Sequence, residues 1–244
     1  LDIDANQKDA YIELIDLYTK ENSPESAIGI AKKAVANFAQ DSEFKNILAN
    51  LYFKSGDYKN ALETVEDDFL KAKILLQDEQ NDSAKEILNK LKEDKNLYKE
   101  SNKEQLAAYY LLEAQYYYNK KEFDEALNYV EKYTDLSLPN ALSFQMKALI
   151  YEGMGDEFKS SYNWGYCYKV RKRFDEAIVE FTHAHNAKPD DKNTLIELAN
   201  LYANNGEKFA SMEYWKKVYE IDKDKRAGQI LGDFYYEQGD LRLA

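Results

Sequence analysis

The stretch Ala49-Asn50-Leu51-Tyr52, followed after a turn by Ala61, decides the fold because the same pattern returns along the chain. In each copy a small residue precedes a tyrosine by three positions, and another small residue follows that tyrosine by nine. Four further pairs keep the spacing of nine residues: Tyr117 and Ala126, Tyr168 and Ala177, Tyr202 and Ser211, Tyr235 and Ala244. A recurring helix-turn-helix pattern predicts a repeat architecture before any single residue is considered.

The copies define repeat units, several of them 34 residues apart. The units begin near Lys8, Ser42, Ala107, Phe158, Lys192 and Lys225. Each opens with apolar residues at helical spacing, as in Leu195, Leu198 and Tyr202. A turn such as Ser55-Gly56-Asp57 then ends the first helix with a glycine and caps the second with an aspartate. Small residues early in each second helix let the two helices cross closely.

Three segments carry a family resemblance: Leu48-Ala49…Tyr52…Gly56-Asp57-Tyr58…Ala61, Trp164-Gly165…Tyr168…Phe174…Ala177…Phe181…Ala184…Pro189, and Leu231-Gly232…Tyr235…Gly239-Asp240…Ala244. They resemble tetratricopeptide repeats, and the resemblance covers most of the chain. It implies an all-α fold, a right-handed α-α superhelix of about six to seven helix-turn-helix units. In similar proteins the first helices line a concave groove that binds peptides or other proteins.

The period breaks in two places, 69–106 and 153–170. Residues 69–93 form a degenerate unit, because the next second helix is centred on Ala84, only 23 residues after Ala61. Residues 157–170 match both the second helix of one unit and the first helix of the next. We therefore predict two sub-arrays, an acidic one at 1–156 and a second at 157–244 with a truncated last unit. The alternative is that residues are missing near 153–170.

The ends of the sequence match the interior of an array. Leu1-Asp2-Ile3-Asp4 is similar to the close of a second helix, Tyr219-Glu220-Ile221-Asp222, and the last unit stops at Ala244. Stacks of this kind need polar caps at their ends. We expect a piece of a longer array, with a protein that frays at its ends as the alternative.

Charge and composition narrow the class of partner. The formal net charge is −12, and residues 1–156 hold 19 Lys and Arg against 30 Asp and Glu, whereas residues 157–244 hold 14 against 15. Phosphate binding needs a basic surface, so we predict a protein or peptide partner and no nucleic acid. No apolar run reaches the roughly 18 residues of a membrane span. One cysteine excludes an internal disulfide, and the compartment stays open between cytoplasm and periplasm.

No constellation of residues predicts catalysis. His183 and His185 lie about 200° apart on a helix, so they cannot share a ligand. Cys167 occupies an apolar packing position, and the basic run Lys169–Arg173 matches a helix end that faces water. The chain has no Gly-rich phosphate loop, no serine nucleophile elbow and no His-rich metal spacing. We predict no enzyme, no cofactor and no metal site.

The tyrosines divide into two groups. One group recurs at a single position of the unit and is expected in the core: Tyr18, Tyr52, Tyr117, Tyr151, Tyr168, Tyr202 and Tyr235. Tyr118, Tyr162 and Tyr166 fall elsewhere and are expected in the groove, where tyrosine is a favoured interface residue.

The resemblance assigns the non-packing face of each first helix to the groove. Ten residues on that face are the candidate partner-binding set: Ile12, Asp16, Asn46, Asn50, Gln115, Tyr118, Tyr162, Tyr166, Ile196 and Asn200. Asn50, Gln115 and Asn200 occupy equivalent positions, and an amide can pair with an extended peptide backbone of any sequence. Asp9, Ile12 and Asp16 stand where a chaperone-type clamp needs Lys, Arg and Asn, so a neutral or basic partner segment is expected at the N-terminal half.

Together these observations predict a non-enzymatic scaffold or adaptor that binds a partner segment in its groove within a multiprotein assembly. A regulatory module of a larger enzyme or secretion machine is one alternative. A chaperone-like carrier of a secreted or assembling subunit is another. The partner's identity and the oligomeric state stay open.

Overall fold

A computed structural model describes residues 7–239. Within that range the chain forms fourteen α-helices and two 3-10 turns, with no β-strand, so the predicted all-α fold is confirmed. Leu1–Asp4, Asp240 and Ala244, which entered the predictions about the chain ends and the last turn, lie outside the described residues. The chain divides into two compact units, Leu1–Glu122 and Phe123–Ala244.

In the first unit, seven α-helices follow one another with short connections. They are α1 (Lys8–Lys20), α2 (Pro24–Asn37), α3 (Ser42–Lys54), α4 (Tyr58–Thr64), α5 (Asp68–Gln77), α6 (Asn81–Glu93) and α7 (Lys103–Asn119), with 3-10 turns at Lys95–Tyr98 and Glu100–Asn102. Each helix packs against the next in the chain, and α7 also packs against α5. Stacking in chain order is the arrangement that repeat proteins adopt.

The second unit has the same organisation. Its helices are α8 (Phe123–Leu136), α9 (Ala141–Met154), α10 (Glu157–Val170), α11 (Phe174–Ala187), α12 (Lys192–Asn204), α13 (Lys208–Asp222) and α14 (Lys225–Glu237). The predicted sub-array boundary at residues 156 and 157 falls between α9 and α10, which pack against each other inside this unit. The two sub-arrays stay a prediction.

Small residues sit where the helices cross. Ala27, Ala61, Ala126 and Ala177 are each fully buried near the start of a second helix. At Gly165 the fit is tighter, because a Cβ atom added there would lie 2.8 Å from the ring of Phe181. A larger side chain at such a crossing would force the two helices apart.

The break at 153–170 is a helix shared between two units. Gly155, before α10, has φ 76°, and Lys172, after α10, has φ 60°. Left-handed residues also end the first helices α1, α3, α5 and α12, as Gly56 does after α3, although Lys223 after the second helix α13 is left-handed as well. Helix α10 is therefore the second helix to α9 and the first helix to α11, and it packs against both.

The break at 69–106 comes from a short helix. Helix α4 has only 7 residues, because the backbone of Val65 is extended, with ψ 134°, and ends the helix. The next helix, α5, begins soon after, since the Asp67 side chain caps it by accepting from the Leu70 N–H at 2.7 Å. Two 3-10 turns then replace a regular connection before α7. Both irregular regions predicted from the sequence are confirmed.

The recurring tyrosines are less buried than predicted. Tyr52 alone among the seven is buried, at 8% exposure, and the other six are half-buried. Their rings lie at the edge of the helix packing. For four of them, the cationic group of a Lys or Arg side chain lies 4.9 to 5.5 Å from the ring centre. These pairs are Lys32 with Tyr52, Lys85 with Tyr117, Lys159 with Tyr151 and Arg173 with Tyr168. A long cationic side chain covers such a ring while its charged head stays in water.

The left-handed turn predicts the effect of two glycine substitutions. Gly206 has φ 81° with open space around it, so Gly206→Ala adds backbone strain and should lower the free energy of unfolding by about 1 kcal/mol. Gly29 also has open space but lies within helix α2, so Gly29→Ala should raise it by roughly 0.5–1 kcal/mol. Urea denaturation of both variants checks this. Equal shifts of the same sign would contradict the role assigned to the turn.

Candidate partner-binding surface

Two amides occupy the same position in helices of equal length. Asn50 and Asn200 are each the ninth residue of a 13-residue helix, α3 and α12. The residues on both sides of each are buried, Ala49 and Leu51 in one helix and Ala199 and Leu201 in the other. Both amides are half-buried, and neither makes a hydrogen bond within residues 7–239. Each unit thus presents one amide whose donors and acceptor are free for another molecule.

Asn46, one helical turn before Asn50, has a structural role instead. Its side-chain oxygen accepts from the backbone N–H groups of Glu66 and Asp67, at 2.9 and 3.0 Å. Those two N–H groups lie in the extended segment between α4 and α5, so Asn46 holds the short helix in place. The sequence pattern does not predict this bond, because it joins residues 20 and 21 positions apart.

Gln115 is also engaged within the first unit. It donates to the Asn119 side chain at 2.7 Å, and Asn119 donates in turn to the Leu76 carbonyl and the Asn81 side chain. This network ties α7 to the end of α5 and the start of α6. Gln115 therefore differs from Asn50 and Asn200, although the repeat makes the three positions equivalent. Tyr118, three residues on, is half-buried.

The remaining candidates, Ile12, Ile196 and Asp16, differ in how far their side chains are exposed. Ile12 packs against the cluster of Tyr11 and Phe44, and Ile196 packs against the cluster that contains Trp215. Asp16 is exposed. The two isoleucines thus contribute to helix packing and present only part of each side chain to solvent.

Tyr162 and Tyr166 lie together in the second unit, and both contribute to helix packing. Their ring centres are 5.0 Å apart, and Tyr166 stacks on Phe144 of α9 at 5.1 Å. Both rings also meet Phe181 of α11 edge-on. Their rings fill space between α9, α10 and α11, and their place in a partner-binding groove stays a prediction.

Polar contacts extend this cluster to α12. The Tyr166 hydroxyl donates to Glu197 Oε1 at 3.0 Å, and Lys169 forms an ion pair with the same carboxylate. Burial raises the pKa of the Tyr166 hydroxyl, which therefore stays protonated as a donor. Sequence reasoning placed Lys169 in a solvated basic run, and its pairing with a residue 28 positions away has no signal in the sequence.

A buried carboxylate in the first unit was also missed. Glu113 of α7 is fully buried, where it accepts from the Tyr109 hydroxyl at 2.6 Å and from Lys85 of α6 at 2.9 Å. Lys85 also lies 4.7 Å from the ring centre of Tyr116. A buried charge needs such partners, so this group serves to fix α6 against α7.

The residues considered for chemistry have structural environments. Cys167 is fully buried, His183 is exposed, and His185 is half-buried beside Tyr214 and Lys217. Residues 7–239 contain no group of three or more His, Cys, Asp or Glu side chains arranged to hold a metal ion. In the same range every helix is too short or too polar to cross a bilayer.

Solved structures resemble this chain over most of its length at low sequence identity. The chain is 14% identical to one in the APC/C hetero-tetramer Cut9–Hcn1, covering 93% of this chain and 42% of that one with a TM-score of 0.47. It is 14% identical to PilF from Pseudomonas aeruginosa (94% and 97% covered, TM-score 0.46). It is 19% identical to the C-terminal part of a TPR repeat-containing protein from Cytophaga hutchinsonii (94% and 90%, TM-score 0.40). This chain thus spans less than half of the Cut9–Hcn1 chain.

No protein-family model matches the chain, and no curated protein does. The fold assignment therefore depends on features of the chain itself: paired helices, a left-handed residue in each intra-pair turn, and small residues at each crossing. The chain has the tetratricopeptide-repeat fold. Helix α3 of the first unit presents Asn50 and helix α12 of the second unit presents Asn200, and we call the exposed side of each of these helices, taken unit by unit, the amide face of that unit.

The contrast between Asn46 and Asn50 gives a test of the amide face. Asn46→Ala leaves two backbone N–H groups without their acceptor and should cost about 1–2 kcal/mol of unfolding free energy. Asn50→Ala removes no internal bond and should change it by less than about 0.5 kcal/mol. Denaturant titration of the two variants measures both values. A larger loss from Asn50→Ala would show that its amide has a structural partner.

Burial of Cys167 predicts an inert thiol. Desolvation raises the pKa of the Cys167 thiol, so less thiolate is present at pH 8 than for an exposed cysteine, and packing blocks access as well. A colorimetric thiol reagent should react roughly a hundredfold more slowly with the folded protein than with the protein in denaturant. Equal rates in the two conditions would contradict the buried position.

Proposed function

We propose that this chain is a non-enzymatic interaction scaffold in which the amide face of each unit binds an extended segment of a partner protein. The observation that carries the proposal is the pair of free, half-buried amides at equivalent positions, Asn50 in the first unit and Asn200 in the second. A half-buried amide without an internal partner keeps polar surface in water, and a second molecule can replace that water. Its position on an accessible face suits a bond to a second molecule.

An asparagine amide matches the chemistry of a peptide backbone. Its N–H groups donate to a backbone carbonyl and its oxygen accepts from a backbone N–H, whatever the side chains of the peptide. Apolar side chains beside it, such as Ile47 and Phe53 in α3, are half-buried and can receive side chains of the bound segment. The amide thus supplies affinity for any extended segment, and the neighbouring side chains supply selectivity.

Charge favours a neutral or basic partner segment. The chain carries a formal net charge of −12, and most of that excess lies in residues 1–156. The exposed Asp16 of α1 occupies the position of the repeat that Asn50 holds in α3, two residues before the recurring tyrosine. A basic partner would be attracted to this part of the surface, whereas an acidic tail would be repelled.

Peptide selection followed by binding measurements tests this function. Random twelve-residue peptides displayed on phage are selected against the folded protein, and the affinity of the best sequence is measured by fluorescence anisotropy. Asn50→Ala combined with Asn200→Ala should weaken binding about tenfold, since each lost hydrogen bond is worth roughly 0.5–1.5 kcal/mol.

Two exposed asparagines on other helices provide the matched control. Asn89 of α6 and Asn128 of α8 lie on second helices, one in each unit, and their replacement by alanine should leave the affinity unchanged. Thermal melts of both double variants confirm that the fold is kept. An affinity that survives the loss of Asn50 and Asn200 would exclude the amide face as the binding surface.

A further inference from the structure

A cavity of about 640 Å³ lies in the second unit, at the place where α10 packs against both α9 and α11. It is open to solvent, since Glu152, Glu157 and His183 among its lining residues are exposed. Six of its lining residues matter for its chemistry: Glu152, Glu157, Ser160, Trp164, Glu180 and His183. Trp164 is about 200° around α10 from Tyr162, so the cavity is on the opposite side of the helix from the aromatic cluster.

The cavity collects negative charge without a fixed counter-ion. Within residues 7–239, neither lysine nor arginine forms an ion pair with Glu152, Glu157 or Glu180. His183 Nδ1 lies 3.9 Å from the Glu180 carboxylate. Burial raises the pKa of the Glu180 carboxyl and the Glu152 carboxylate adds to the rise, whereas His183 and a hydrogen bond from Ser161 oppose it. A cation inside the cavity would relieve this repulsion.

The Ser160 hydroxyl also points to a ligand. Ser160 is 8% exposed and lines the cavity, and its side chain makes no hydrogen bond among the described residues. Helical serines with no outside partner commonly bond the carbonyl four residues back, as Thr182 does toward Ile178 in α11. Ser160 makes no such bond, and its hydroxyl oxygen is accessible from the cavity although the residue as a whole is buried, so it is available as an acceptor for an N–H group.

Trp164 completes the chemistry of the site. Its indole lines the cavity and is held by a stacked contact with Tyr168, with ring centres 5.8 Å apart. Tryptophan is the preferred aromatic partner of a cation. Among natural side chains, arginine combines stacking on an aromatic face with several N–H donors for carboxylate and hydroxyl oxygens. Lysine offers only a compact charge.

We propose that this cavity binds the guanidinium group of an arginine in an exposed segment of another protein. The guanidinium stacks on Trp164 and donates to the carboxylate of Glu180 and to the hydroxyl of Ser160. Glu152 and Glu157 at the rim add attraction for the positive charge. This arginine site is separate from the amide face and binds its ligand whether or not Asn50 and Asn200 are present.

The test uses the tripeptide acetyl-Gly-Arg-Gly-amide, with a matched peptide that carries citrulline, the neutral isostere of arginine. Binding is followed in two-dimensional NMR spectra through the indole N–H signal of Trp164. Trp215, at 3% exposure, is the internal reference. We expect saturable movement of the Trp164 signal with the arginine peptide, a still Trp215 signal, and affinity about tenfold weaker for the citrulline peptide.

Glutamine variants test which carboxylate contributes to binding of the arginine peptide. Glu180→Gln keeps the shape of the side chain and should weaken binding of the arginine peptide about tenfold. Glu213→Gln, at an exposed position of α13, should leave that affinity unchanged. Glu152→Gln at the exposed rim supplies a second variant should Glu180→Gln impair folding, and a smaller loss of affinity is expected there. The double variant Asn50→Ala with Asn200→Ala should bind the arginine peptide as the parent does.

Several results would overturn the proposal. They are a Trp164 signal that does not move, equal affinity for the arginine and citrulline peptides, and full affinity in both Glu180→Gln and Glu152→Gln. Free spermidine is included as a small-molecule cation. Tighter binding of spermidine than of the arginine peptide would overturn the assignment to a protein segment.

Discussion

The whole structure depends on helices that cross at van der Waals distance. Alanine at Ala27, Ala61, Ala126 and Ala177 leaves no exposed surface at the crossings, and glycine at Gly165 lets the backbone approach the Phe181 ring. Once two helices are this close, the side chains on either side of the crossing are fixed in direction. The apolar face that remains on each pair is then covered by the next pair, which gives a stack rather than a closed core.

Much of the fold could be predicted from the sequence, since the repeat depends on local signals. The starts of α1, α3, α12 and α14 at Lys8, Ser42, Lys192 and Lys225 coincide with the units read from the spacing. Small residues, glycine turns and aspartate caps each determine the structure of residues only a few positions away. A single sequence is therefore enough to predict their effect. The double role of residues 157–170 could also be predicted, because the sequence patterns of a first helix and of a second helix both occur in this segment.

The site could be predicted only in part, and the reason is distance along the chain. The repeat places Asn50 and Asn200 at half-buried positions and makes Gln115 equivalent to them, but the Gln115 amide is bonded to Asn119. The sequence assigned Tyr162 and Tyr166 to the groove and did not predict their contacts, because the partners Phe144, Phe181 and Glu197 lie in other helices. The half-buried position of Tyr151 could not be predicted for the same reason, because the lysine that covers its ring, Lys159, belongs to the neighbouring helix.

The shared helix α10 has buried residues on two of its sides. Ser160, Asn163 and Cys167 lie within about 60° of one another around the helix, and Gly165 lies on another side, against the Phe181 ring of α11. Because α10 packs against both α9 and α11, a substitution that shifts α10 alters two interfaces at once. The hydrogen bond from Tyr166 to Glu197 adds α12 to the helices that depend on its position.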